Sequence, residues 1–110
     1  MAEKLPFRVI LKMEIFPGLG PGFEATWLEV GRAIAREPAN LGQMLVRAVE
    51  EEDVYYVVTD WTDEPGFRAF ERSQAHIGHR LRIGPFRRRG EMVLTQGVFE
   101  LPGREARATG

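Results

Sequence analysis

Residues Val54 to His79 read VYYVVTDWTDEPGFRAFERSQAHIGH, and this stretch limits the fold more tightly than any other. Val54 to Trp61 is a run of β-branched and aromatic residues. Such side chains suit a pleated, half-buried surface and lose χ1 freedom in a helix, so the run predicts a strand that ends at Trp61. An acid and proline break follows. Pro65 stands just after a Thr62 or Asp63 cap, where a helix tolerates proline because its first-turn N–H groups have no intrahelical partner. The strand therefore hands directly to a helix, and that helix carries both histidines of the chain, His76 and His79.

The remaining segments read as support for this unit. From Phe7 to Phe16, Phe7, Val9, Leu11, Met13 and Ile15 alternate with Arg8, Lys12 and Glu14, the period-two pattern of a first strand. Pro17 to Gly22 is a breaker cluster and predicts a loop; it has neither the glycine spacing nor the Lys-Ser/Thr of a phosphate cradle. Phe23, Trp27, Val30 and Ile34 form one stripe of an amphipathic helix running to Arg36. Leu41 to Glu50 returns to an extended pattern, with Leu41, Gln43, Leu45, Arg47 and Val49 on one side, and Glu51 to Asp53 turns it into the Val54 strand. Ile83 to Gly90 predicts a loop whose Arg87 to Arg89 run is a solvated edge, and Glu91 to Leu101 predicts a last strand.

The resulting order, β-α-β-β-α-β, predicts an α+β, ferredoxin-like split βαβ fold: one antiparallel sheet with both helices on one face. The second, third and fourth strands carry apolar residues at both parities, such as Met44 and Val46 beside Leu45, and Tyr56 and Val58 beside Tyr55 and Val57. With no helix left to cover the second face, a second copy of the chain is expected there, closing a dimeric α+β barrel.

At 110 residues the chain predicts one domain over residues 1–103, followed by a flexible tail over 104–110. Fifteen basic against sixteen acidic residues leave a net charge of −1, which provides no field for nucleic acid or an acidic membrane surface. There is no cysteine, so disulfides, thiolate metal sites and cysteine nucleophiles are excluded, and a reducing, cytoplasmic setting is expected. The N-terminal segment reads as neither signal peptide nor membrane span, because Arg8, Lys12 and Glu14 interrupt its apolar run.

Three local motifs carry a resemblance to a known family: Ile15-Phe16-Pro17-Gly18 closing the first strand, Asp60-Trp61-Thr62-Asp63-Glu64 closing the third, and Ser73-Gln74-Ala75-His76 on the second helix. Over residues 7–101 the chain resembles the antibiotic biosynthesis monooxygenases, which form dimeric α+β barrels. The resemblance implies a pocket between sheet and helices in which an anthrone-like phenol is oxidised to a quinone by O₂, with no metal, flavin or other cofactor. An electron-rich phenolate can itself give an electron to O₂, so the protein need only bind, deprotonate and exclude water. Where quinone-forming and haem-degrading members of the family use an asparagine on the first or third strand, the matching positions here are Leu11 and Val57. Phe67 stands where a tyrosine occurs, and Phe70 where haem degraders place a tryptophan. These departures count against haem degradation and also leave open a non-catalytic module that holds a polyketide-type intermediate.

Candidate site residues follow from this frame. His76 is the expected base, since its ordinary pKa lies near neutrality. Trp61 is expected as a pocket donor, because its parity with Tyr55, Val57 and Thr59 sends all four to one face; its plainer role is that of a core aromatic. Leu11, Trp27, Tyr55, Val57, Phe67, Phe70 and His79 are expected to contact a flat aromatic ligand. On one unbroken helix His76 lies well away from the stripe of Phe67, Phe70, Gln74, Ile77 and Leu81, and His79 farther still. Either the helix breaks at Ser73 and resets its phase, or both histidines face solvent. Arg80 and Arg82 read either as counter-ions for a phenolate or carboxylate or as partners of a helix C-terminus. His76 and His79 have spacing compatible with a metal, but neither Glu64 nor Glu71 completes such a site convincingly, so none is expected.

Overall fold

The computed structural model describes residues 4–104, and the expected tail beyond Arg104 lies outside the described residues. Four strands and three helices run in the order β1 (Phe7–Ile15), α1 (Gly20–Ile34), β2 (Asn40–Arg47), β3 (Val54–Trp61), α2 (Glu64–Glu71), α3 (Gln74–Ile83) and β4 (Arg87–Gln96). The sheet is fully antiparallel in its pairings and has the order β2-β3-β1-β4, the ferredoxin-like topology expected from the sequence.

The two central strands are those with the clearest sequence pattern. Along β3, Tyr55, Val57, Thr59 and Trp61 are buried beneath the helices, while Tyr56, Val58 and Asp60 point the other way and are only partly covered. Along β1, Val9, Met13 and Ile15 are buried in the same layer. Phe23, Val30 and Ile34 of α1 and Phe67 and Phe70 of α2 close over them, giving two core clusters that both touch Ile83. Val9, Val30, Ile34, Trp61, Phe67 and Phe70 belong to the first cluster, Met13, Phe23, Tyr55 and Val57 to the second.

Several boundaries differ from the sequence expectation. Helix α1 begins at Gly20 rather than Phe23, with Pro21 in its first turn, so the breaker cluster shrinks to a short turn at Pro17 and Gly18. Strand β2 stops at Arg47; Leu41 and Val49 lie exposed, and only Gln43, Leu45 and Arg47 keep the expected side. A bulge at Gly42, whose φ of 147° suits glycine, sets the phase of this strand.

The expected loop over Ile83 to Gly90 is strand from Arg87 onward. One 3₁₀ turn at Gly84–Phe86 closes the connection, after which Arg87 pairs with Ile15 and Arg89 with Glu14 of β1. Backbone pairing with an already formed strand overrides the unfavourable charge run. At its other end β4 stops at Gln96 because the Gly97 amide turns back to donate to the Pro6 carbonyl, so Val98, Phe99 and Leu101 are left outside the sheet.

The face away from the helices carries an apolar row flanked by charged residues such as Arg8, Asp60, Lys12 and Glu91. Met44, Val58, Ile10 and Val93 stand in register across all four strands, and Met44 and Val93 remain more than half exposed at 61% and 55%. No helix among the described residues covers that row.

Candidate active site

The second helical segment is two helices. The Ser73 hydroxyl accepts a hydrogen bond from the His76 amide at 3.2 Å and donates to the Phe70 carbonyl at 2.6 Å, ending α2 and capping α3 with one side chain. Of the two alternatives open in the sequence, the break is the one observed. It rotates α3 out of the phase of α2, and His76 and His79 both come to line a cavity of about 340 Å³ between sheet and helices. That volume lies at the lower end of the range for small-molecule sites, roughly 300–1,000 Å³.

The floor of the cavity is Val9, Leu11 and Met13 of β1 with Val57, Thr59 and Trp61 of β3. Trp27 comes from α1, and Phe67 and Phe70 from α2. Aromatic rings step across it: Trp61 and Phe70 centroids are 4.9 Å apart, Phe70 and His76 4.7 Å, and Phe70 and His79 6.3 Å with planes inclined by 29°. Trp61 also meets Phe67 edge-on at 5.5 Å. The result is a slot with flat walls, apolar except where the histidines, Thr59 and a few charged groups reach it.

Trp61 and His76 thus line the same cavity. Eight of the nine expected residues line it; Tyr55 does not. Tyr55 faces the second core cluster, packs on Phe23 at 4.9 Å and donates its hydroxyl to Glu24 at 2.6 Å. Burial, then the Glu24 carboxylate that accepts its proton, push that phenol above its usual pKa and fix it as a structural donor. Trp61 also needs correction in role. Its indole N–H donates to the Thr59 hydroxyl at 2.8 Å, both side chains buried, so its polar edge is committed inside the protein and the ring serves as wall.

His76 is chemically distinct. Its imidazole is half-buried, and Nδ1 is fully enclosed with no hydrogen-bond partner in the protein. Burial holds its pKa below the ordinary histidine value, the Arg80 guanidinium and His79 lower it further, and Glu71 works weakly the other way. His79 is lowered as well, by burial and then by Arg82, against Glu37. Both rings are therefore neutral at pH 7 and able to accept a proton or offer a lone pair. Among the described residues no three His, Cys, Asp or Glu side chains come together as a metal site.

Glu71, Arg80, Arg87, Glu91 and Met92 also touch the cavity. The sequence named Arg80 as one of two candidate counter-ions, and Arg82 is removed from that role by its ion pair with Glu29. Arg87 was hidden by the expected loop, and Met92 stood in the expected last strand, where only the strand register shows that it pairs with Leu11 on the cavity side.

This fold and this enclosure define the class. A family model described as antibiotic biosynthesis monooxygenase matches residues 6–79. The chain belongs to that family. It is 34% identical over 79 residues, 69% of this chain and 75% of the relative, to a protein of Mycobacterium tuberculosis named "Heme oxygenase (mycobilin-producing)". The fold is shared with SnoaB, a cofactor-independent oxygenase from Streptomyces nogalater, at a TM-score of 0.80 and 19% identity over 89% of this chain and 98% of that one. It is shared also with PA3566 from Pseudomonas aeruginosa, at a TM-score of 0.74 and 11% identity over 90% and 100%. No helix among the described residues is long and apolar enough to cross a membrane.

Proposed function

We propose that this member of the family is a monooxygenase that holds one planar polycyclic phenol, of the anthrone type, in the slot and oxidises it with O₂. The observation that carries the reading is His76: a half-buried imidazole, its pKa lowered chiefly by burial, that lines a slot whose floor and walls are largely apolar. A base in that position takes the phenolic proton, and the dry walls keep the resulting phenolate poorly solvated and electron-rich. The phenolate reduces O₂ directly; the ring methylene becomes a carbonyl, and the second oxygen atom leaves as water. Trp27, Leu11, Val57, Phe67 and Phe70 act as walls, and His79 lies at the mouth. In this reading the working unit is a cytoplasmic homodimer joined through the apolar sheet face, and no cofactor takes part.

Kinship to the mycobacterial haem oxygenase favours a second reading, in which the planar ring is haem and haem is the substrate. The residues present fit such a ring in part. A neutral imidazole can meet the iron, the walls are flat and apolar, and Arg80 and Arg87 line the same cavity and can pair with carboxylate side groups. The departures at Leu11 and Phe70 weigh on the other side.

Two incubations of metal-free protein separate these readings. With an anthrone under O₂, the first predicts accelerated quinone formation in the wild type and loss of that acceleration in His76→Phe. With haemin, the second predicts a saturable Soret shift that His76→Phe abolishes. Failure of the first experiment overturns the phenol reading, and failure of both overturns the monooxygenase assignment.

A further inference from the structure

Resting on the proposal that the slot holds a planar ring, the charged groups at its mouth say something about what that ring carries. Lys12, Arg8, Arg47, Arg68, Arg82 and Arg89 each have a carboxylate within 4.0 Å. Arg80 and Arg87, which line the cavity, have none among the described residues. They come from different elements, Arg80 from α3 one turn beyond His76 and Arg87 from the first position of β4.

Arg87 is also held at the rim. A Cβ placed at Gly90 would come within 3.2 Å of Arg87 Cδ and 3.3 Å of its Nη1, so the arginine side chain lies across the glycine that lines the cavity beside it. Two acidic residues line the same cavity: Glu71 is engaged by Arg68 at 3.1 Å, and Glu91, in register with Lys12, belongs to the sheet face opposite Met92. The mouth is left with a surplus of guanidinium above an apolar slot, the arrangement that favours an aromatic ring with an acid at its edge.

We propose that Arg80 and Arg87 form a receptor for a carboxylate on the substrate, so that the slot selects planar polycyclic acids over their neutral counterparts. The same receptor serves a carboxylated anthrone or the carboxylate side groups of a porphyrin. His76 is left free for the reacting end of the ring.

The test uses matched pairs, read by quenching of Trp27 and Trp61 fluorescence: anthraquinone-2-carboxylate against anthraquinone-2-carboxamide, and haemin against haemin dimethyl ester. The acid of at least one pair should bind about tenfold more tightly than its neutral partner, the scale of charge-assisted hydrogen bonds to an anion. In the Arg80→Gln/Arg87→Gln double variant that preference should vanish while the neutral ligand binds as before, and Gly90→Ala, which pushes Arg87 from the rim, should reduce it. The pair that shows the effect identifies the source of the acid. Equal binding of acid and neutral partner in both pairs, or a preference that survives in the double variant, overturns the receptor and leaves the slot standing. Absence of binding by all four ligands overturns the slot and the receptor together.

Discussion

Ser73 and His76 are joined by one hydrogen bond, 3.2 Å from the His76 amide to the Ser73 hydroxyl, and that bond decides where the imidazole goes. Without a cap at residue 73 the helix begun at Glu64 would continue in phase and carry His76 away from Phe67 and Phe70. With it, a new helix starts and the imidazole sits 4.7 Å from the Phe70 ring. Ser73→Ala should therefore lower stability by about 1 kcal/mol, the usual cost of an N-cap, and lower turnover by more than that loss of folded protein explains. Ser73→Asp, an equally good cap, should restore both. Denaturant unfolding beside steady-state kinetics checks this; an alanine variant with full turnover would detach the cap from the site.

The pH dependence of His76 has a definite sign. Its folded pKa lies below the ordinary value of 6.5, chiefly through burial and next through Arg80. The unfolded chain thus binds more protons than the native one in the window below pH 6.5, and stability contributed by the neutral ring is present above that pH and lost as pH falls through the folded pKa. Turnover, which needs the neutral base, should fall over the same window. Replacing Arg80 with Gln removes a cation and should move the midpoint of the kcat/KM profile upward toward 6.5. A midpoint that stays in place, or moves down, would contradict the assignment of His76 as base.

Thr59 and Trp61 make a buried pair whose hydrogen bond lies under the slot. Thr59→Val keeps the shape but strands the indole N–H, and should cost about 1–3 kcal/mol, the penalty for an unsatisfied buried donor. Thr59→Ser should lose much less. Thermal unfolding of the two variants provides the comparison, and equal melting temperatures would show that the indole finds another partner.

The apolar row across the outer sheet face, Met44, Val58, Ile10 and Val93, is central to the expected dimer. Val58→Lys places a charge in its middle, where desolvation on association is costly. Sedimentation equilibrium at micromolar concentration should find the wild type dimeric and the variant monomeric with unchanged circular dichroism. A monomeric wild type would remove the dimeric barrel from the account.

The parts of the fold readable in the sequence are those where local pattern and tertiary burial agree. Strands β1 and β3 and the stripe of α1 follow from periodicity, and Trp61 closes its strand as expected. Ser73 was legible as a cap, but whether it acts as one depends on α2 packing against β3, which periodicity does not contain. The start of β4 was hidden because three successive arginines read as a solvated edge, whereas pairing with β1 extends the strand through them. Tyr55 has the parity of the slot yet lies at the end of β3 covered by Phe23, and its hydroxyl is taken by Glu24, a partner 31 positions away in the chain. Arg87 entered the site by the same route as β4, through strand register rather than residue type.

The central claim is that one planar ring lies in the slot against His76, and proton–proton contacts in a bound complex measure this directly. In nuclear Overhauser spectra of the protein with a bound anthraquinone, ring protons should show contacts to the His76 imidazole, to Trp27 and to the methyls of Leu11 and Val57. Contacts confined to Met44, Val58 and Val93 on the opposite face, or none to His76 at saturating ligand, would contradict it.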